Sequence, residues 1–145
     1  MFSRFVRVTR EGLIPICGFV GSSKTHMMSL MAFLFLVCPS INSIYCAAPS
    51  HVAVSNFAAR LFNLGVDIAA KLDWNIPLVV RAVEIVPDLM GRVIMKVHAV
   101  CTTPHLVGEE DLFYSEFNNS AARGVIFDET GRMHKADAFQ VLSPG

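Results

Sequence analysis

The residues best spaced for chemistry are Gly18-Phe19-Val20-Gly21-Ser22-Ser23-Lys24-Thr25. A phosphate-binding loop needs Gly-x4-Gly-Lys-Ser/Thr, so that packed backbone amides cradle the phosphates, the lysine reaches them and the hydroxyl holds magnesium. Ser23 replaces the second glycine here, whereas Gly18, Lys24 and Thr25 keep their places. Leu13-Ile14-Pro15-Ile16-Cys17 would be the strand before such a loop and residues 25–37 the helix after it. No aspartate stands out at the end of an apolar strand to position magnesium, so a nucleotide-binding protein with a degenerate phosphate loop at 18–25 is the alternative reading.

Other reactive side chains are scattered. His98, Cys101 and His105 are potential metal ligands, but structural zinc takes four ligands and these spacings match no common finger, so no metal is expected. Among Cys17, Cys38, Cys46 and Cys101 there is no C-x-x-C pair, and only Cys46 and Cys101 could meet outside the apolar N-terminal half. Cys101-Thr102-Thr103-Pro104, with Ile76-Pro77 upstream, is similar over one strand and its flank to the ligand loop of the thioredoxin-like two-iron ferredoxin subunit of respiratory complex I. His105 and Leu106 stand where a second loop cysteine would be, so no iron–sulfur cofactor is expected. His98, His105 and His134 with Ser115, Glu109, Glu110 and Asp111 offer acid, base and nucleophile types, but no spacing fixes a pair. No catalytic residue is assigned.

What must position these residues is an apolar chain. Of 145 residues 53% are hydrophobic and only 17% charged, against about 25% in an ordinary soluble protein, which excludes general disorder. Twelve bases balance twelve acids, so nucleic acid is not the default partner. Arg4, Arg7, Arg10 and Lys24 against Glu11 make the first 50 residues basic, and residues 25–59 carry no formal charge. The arginine-bearing start has the composition of a mitochondrial import segment.

Three readings compete for Met27–Cys38, the apolar centre of the uncharged run. Extended to residues 26–46, it is a candidate transmembrane helix after a basic segment at 1–25, although Pro39 and Asn42 would kink it. As a signal, it would be cut after Ser43, leaving a small secreted binding module. At twelve residues it is also short enough for a buried core helix. Basic residues lie only before the run, so a span would put the N-terminus in the matrix.

Residues 47–145 read as a small α+β domain. Phe57, Leu61, Leu64, Ile68 and Leu72 recur at helical spacing, with Arg60, Asn63, Asp67 and Lys71 opposite, Ser50 or Ser55 as the cap and Asn75 with Pro77 as the stop. Residues 78–86 and 92–100 are rich in β-branched side chains and flank the turn-forming Pro87-Asp88-Leu89-Met90-Gly91, which predicts a hairpin whose two faces are not cleanly sorted. Residues 124–127 and 132–134 predict a second hairpin through Asp128-Glu129-Thr130-Gly131, and 108–117 a short acidic helix.

The sequence therefore predicts one transmembrane helix, an amphipathic helix and a small antiparallel sheet of two hairpins. Its leading functional expectation is a non-enzymatic accessory subunit of a mitochondrial inner-membrane complex of the respiratory-chain or ATP synthase type. The expected partners are the other subunits and the lipid bilayer.

Overall fold

The computed structural model describes residues 16, 17, 19, 21–72, 75–81, 96–104 and 123–136. The uncharged run forms helix α1 (Lys24–Val37), a tight turn and strand β1 (Ile44–Ala47). Cys38 N–H closes the helix on the Leu34 and Phe35 carbonyls, and Ile41 and Asn42 N–H then bond the Cys38 carbonyl at 2.9 Å. Pro39 cannot continue a helix, and Asn42 takes the left-handed conformation (φ 45°) that turns the chain into β1.

Helix α2 (His51–Leu72) follows β1 and confirms the amphipathic reading. Ser50 caps it, its hydroxyl accepting from Ala53 N–H at 3.2 Å, which contributes about 1 kcal/mol. Phe57 and Leu61 are buried and Leu64 and Ile68 partly so, whereas Arg60, Asn63, Asp67 and Lys71 are exposed. Asp67 and Lys71 do not close an ion pair; among the described residues only Arg132 and Glu129 do, at 3.9 Å.

Strands β2 (Val79–Arg81), β3 (Ala99–Thr102) and β4 (Gly124–Phe127) complete a four-stranded sheet in the order β2-β3-β1-β4. Every pairing is parallel: Val79 opposes Ala99, Ile44 opposes both Ala99 and Gly124, and Cys46 opposes both Cys101 and Ile126. The fold is thus α/β, not the α+β arrangement of two antiparallel hairpins. Residues 78–81 and 99–100 of the first expected hairpin run side by side in the same direction, and its turn at 87–91 lies outside the described residues. Residues 82–98 are long enough for the crossover that parallel neighbours require. In the second expected hairpin the chain leaves β4 into a 3-10 turn at Thr130–Arg132, closed by Arg132 N–H on the Glu129 carbonyl, instead of a returning strand. The acidic helix expected at 108–117 is also outside the described residues.

The physical reason lies in the burial of both faces. Ile44, Cys46, Ala99, Cys101 and Ile126 share a core with α1 and α2, and Tyr45, Ala47, Val100 and Thr102 on the other face are buried as well. Strands covered on two sides are apolar throughout and do not alternate, as parallel strands require.

Helix α1 corrects the membrane reading. Its 14 residues reach about 21 Å, short of a hydrocarbon layer of about 30 Å, and no described helix is long and apolar enough to cross a membrane. Ala32 and Phe33 instead enter the core, and Phe33 comes within 4.0 Å of a Cβ placed on Gly65 of α2. The single-pass inner-membrane location and the matrix-facing N-terminus rested on that span and are withdrawn with it; the arginines behind the mitochondrial assignment lie outside the described residues, and nothing in the described structure supports that assignment. Within this structure 27–38 packs as a buried helix, with Ala32 and Phe33 in the core.

Candidate functional site

Both helices start at the end of the sheet where the strands finish. Helix α1 passes through its turn into the beginning of β1, so it runs against the strand, and Phe35 near its end lies 3.7 Å from a Cβ placed on Gly124 at the start of β4. Helix α2 leaves the end of β1 and runs back over the sheet, Gly65 passing Pro77 just before β2. The chain leaving β1 crosses to β2 on one side, and the chain leaving β3 next joins the sheet at β4 on the other. Open α/β sheets bind ligands beyond the carboxyl ends of their strands, the end at which Ala47 and Thr102 finish β1 and β3.

Continuing the register by two residues places Thr103, Ala48 and Asp128 in one row on the helix side of this edge. Ala48 N–H bonds the Thr102 carbonyl at 3.3 Å and Asp128 N–H the Ala47 carbonyl at 2.9 Å, which fixes the row. Thr103, Ala48 and Asp128 are 4%, 2% and 6% exposed. Asp128 Oδ1 accepts from Glu129 N–H at 2.9 Å, and Glu129 adopts a left-handed φ of 53° to make that turn.

At the same end, the sequence loop opens α1 as the phosphate reading requires. Gly21 (φ 84°) and Ser23 (φ 55°) are left-handed while Ser22 between them is not, and the Ser22 N–H closes the turn on the Phe19 carbonyl at 3.1 Å. No side chain caps α1. Lys24 Nζ folds back to donate to the Phe19 carbonyl at 2.7 Å and lies 3.5 Å from Ser22 Oγ. Lys24 and Thr25 thus sit in the first turn of α1, where the motif puts them, whereas Gly18 lies outside the described residues. The expected preceding strand is not seen at its described members, Ile16 and Cys17.

One row deeper, Cys46 and Cys101 face each other across β1 and β3, both free and buried. With Ala47, Ala48, Val54, Phe57, Ile126 and Asp128 they line a packed seam beneath the edge with no room for a water molecule, rather than a ligand cavity. Burial pushes the Cys46 thiol well above its ordinary value, and Cys101 and the Asp128 carboxylate add to the effect. A thiol raised on folding stabilises the protein below the unfolded cysteine pKa, and that stability is lost as pH rises above it. The melting temperature is therefore expected to fall from about pH 8.5 upward, at no more than about 1.4 kcal/mol per pH unit for one group. Cys46→Ala should flatten that limb; an unchanged slope would show that Cys46 is not its source.

The other sequence candidates do not converge. His98 lies at the opposite end of β3, its Nδ1 accepting from Leu78 N–H at 3.1 Å, while Cys101 faces the helix-covered core. No three potential ligands gather among the described residues, and His105 lies outside them. His134 Nδ1 accepts from Ala136 N–H at 3.3 Å; Glu109, Glu110, Asp111 and Ser115 are outside the described residues. Cys38 has its thiol held below the ordinary value by the Ser40 hydroxyl, 3.1 Å away.

Sequence reasoning missed Asp128 and Thr103. Asp128 was legible as the acid ending the apolar run Gly124-Val125-Ile126-Phe127, but hairpin-turn chemistry claimed it first. No protein-family model, curated protein or solved structure matches the chain.

Proposed function

We propose that this protein binds a nucleotide at the carboxyl edge of its parallel sheet, with the loop leading into Lys24 and Thr25 around the phosphates. The observation that carries the reading is that Lys24 and Thr25 stand in the first turn of α1, which no side chain caps, directly after the turn Gly21-Ser22-Ser23. The first-turn amides of an uncapped helix have no intrahelical acceptor and favour an anion, and Lys24 stands in that turn. Phe19, 90% exposed at the mouth of the loop, offers an aromatic face to a base, which supports a nucleotide over bare phosphate.

Titration with ATP and GTP while following thermal unfolding tests this. At a hundredfold excess over Kd, binding should stabilise the chain by about 2.7 kcal/mol. Lys24→Ala should abolish most of the shift, and Phe19→Ala should weaken nucleotide more than pyrophosphate. No shift with either nucleotide, or one that survives Lys24→Ala undiminished, overturns the proposal.

A second reading, a non-enzymatic accessory subunit of a protein complex, is supported by the apolar side chains left in solvent, Val52 at 70%, Met27 at 52% and Phe62 at 48% exposed. The two readings separate on Lys24, which an accessory role does not need.

A further inference from the structure

We propose that Cys46 and Cys101 form a redox latch, two thiols set to close as a disulfide between β1 and β3 and to reopen on reduction. Their placement carries the inference. Cys46 and Cys101 are direct partners in the parallel register of β1 and β3, and both belong to the core beneath the helices, so their side chains leave the sheet on the same side. Neighbouring strands lie about 4.7–4.9 Å apart, inside the roughly 4.4–6.8 Å Cα separation that a disulfide bridges. Both thiols are free, and they are near enough for Cys101 to raise the pKa of Cys46. Cys17 is exposed and Cys38 closes α1, and neither shares this register.

The seam decides which oxidation product fits. Cys46 is 4% and Cys101 1% exposed, and the space that they line with Val54, Phe57, Ile126 and Asp128 has no room for a water molecule. A sulfenic acid adds an oxygen and a mixed disulfide adds a whole small thiol, so neither is accommodated there. A disulfide adds no atom: the two sulfurs close to about 2.05 Å and two hydrogens leave. The oxidant is a small disulfide of the glutathione class. One protein thiolate attacks it and releases the first small thiol, leaving a mixed disulfide; the second protein thiolate attacks the protein sulfur of that bond and releases the other. Two protein thiols thus lose two electrons and two protons, and one small disulfide becomes two small thiols. Because the mixed disulfide does not fit the closed seam, exchange runs through a local opening in which Val54 and Phe57 of α2 lift from the sheet. Reclosing brings the sulfurs together, and the bond staples the two central strands of the sheet.

The test incubates the folded chain carrying Cys17→Ser and Cys38→Ser with oxidised glutathione, and maps its peptides by mass spectrometry without reduction. A peptide joining Cys46 to Cys101, lighter by two hydrogens and split again by dithiothreitol, is the expected product. The oxidised chain should melt about 5–15 °C above the reduced one. Val54→Ala, which loosens α2, should speed closure by about tenfold. Absence of the joined peptide, glutathione retained on either cysteine of the folded chain, or an oxidised chain that melts below the reduced one overturns the latch. An unaltered rate in Val54→Ala overturns the opening of α2 as the route. The same peptide map on the wild-type chain needs no variant, so a misfolded variant does not rescue the proposal: failure to join Cys46 to Cys101 there overturns it.

Discussion

Phe57→Ala is expected to lower the unfolding free energy by about 3–5 kcal/mol, the largest effect of any single truncation in α2. Phe57 is 2% exposed, stands two turns into the helix, and packs above Cys46, Cys101 and Ile126 at the centre of the sheet. Removing its ring takes away both the apolar burial and the contacts with β1, β3 and β4, and the narrow seam beneath it leaves no loose side chain to fill the space. Domains of this size are commonly stable by only about 5–15 kcal/mol, so the variant would sit near the edge of folding. Urea denaturation should show a lower midpoint at an unchanged slope. A loss under about 1 kcal/mol would mean that α2 does not dock through this face.

The second large effect separates two adjacent residues of α1. Phe33 is 7% exposed and in the core, whereas Leu34 is 46% exposed. Phe33→Asp places a carboxylate among Gly65, Ala32 and the sheet, with no described base to pair with it, and should prevent folding or cost more than about 4 kcal/mol. Leu34→Asp puts the same charge into solvent and should change stability by less than about 1 kcal/mol. Thermal unfolding of the two variants decides it. Equal losses would show that α1 is not held by the face described here, and a membrane-embedded helix would be disturbed by both.

The contrast exposes where sequence reasoning stops. Residues 27–38 are apolar on every side, so a period of 3.6 has nothing to report, and the length of the run left a span, a signal and a core helix open. Only packing against Gly65 and β1 selected the buried face. Helix α2 was legible because its polar residues mark the solvent side: Arg60, Asn63, Asp67 and Lys71 lie opposite Phe57 and Leu61, and Ser50 supplies its cap.

Strand-forming residues were visible within 78–86, 92–100 and 124–127, since their β-branched and apolar residues favour extended backbone, whereas β1 (Ile44–Ala47) was hidden at the end of the candidate span 26–46. Their partners were not. Turn chemistry at 87–91 and 128–131 is a local signal and suggested adjacent antiparallel pairing. Parallel pairing is decided by crossovers and by contacts between residues far apart, such as Ile44 with Ala99 and Gly124. The imperfect sorting of the first expected hairpin into two faces was the one sign of strands buried on both sides.

The candidate site divides along the same line. Gly18, Lys24 and Thr25 were readable because a phosphate loop is contiguous in sequence and its chemistry depends on local backbone. Asp128 and Thr103 lie far along the chain from that loop, and nothing in their own neighbourhoods specifies that they finish strands flanking Ala48. By itself the sequence determined the helical face of α2, the strand-forming character around β2, β3 and β4 but not β1, and the loop at the head of α1, all consequences of interactions within a few residues. The tertiary structure alone decided that the apolar helix is core, that the strands run parallel and that Asp128 shares an edge of the sheet with Ala48 and Thr103, because each depends on which distant surfaces exclude water from one another.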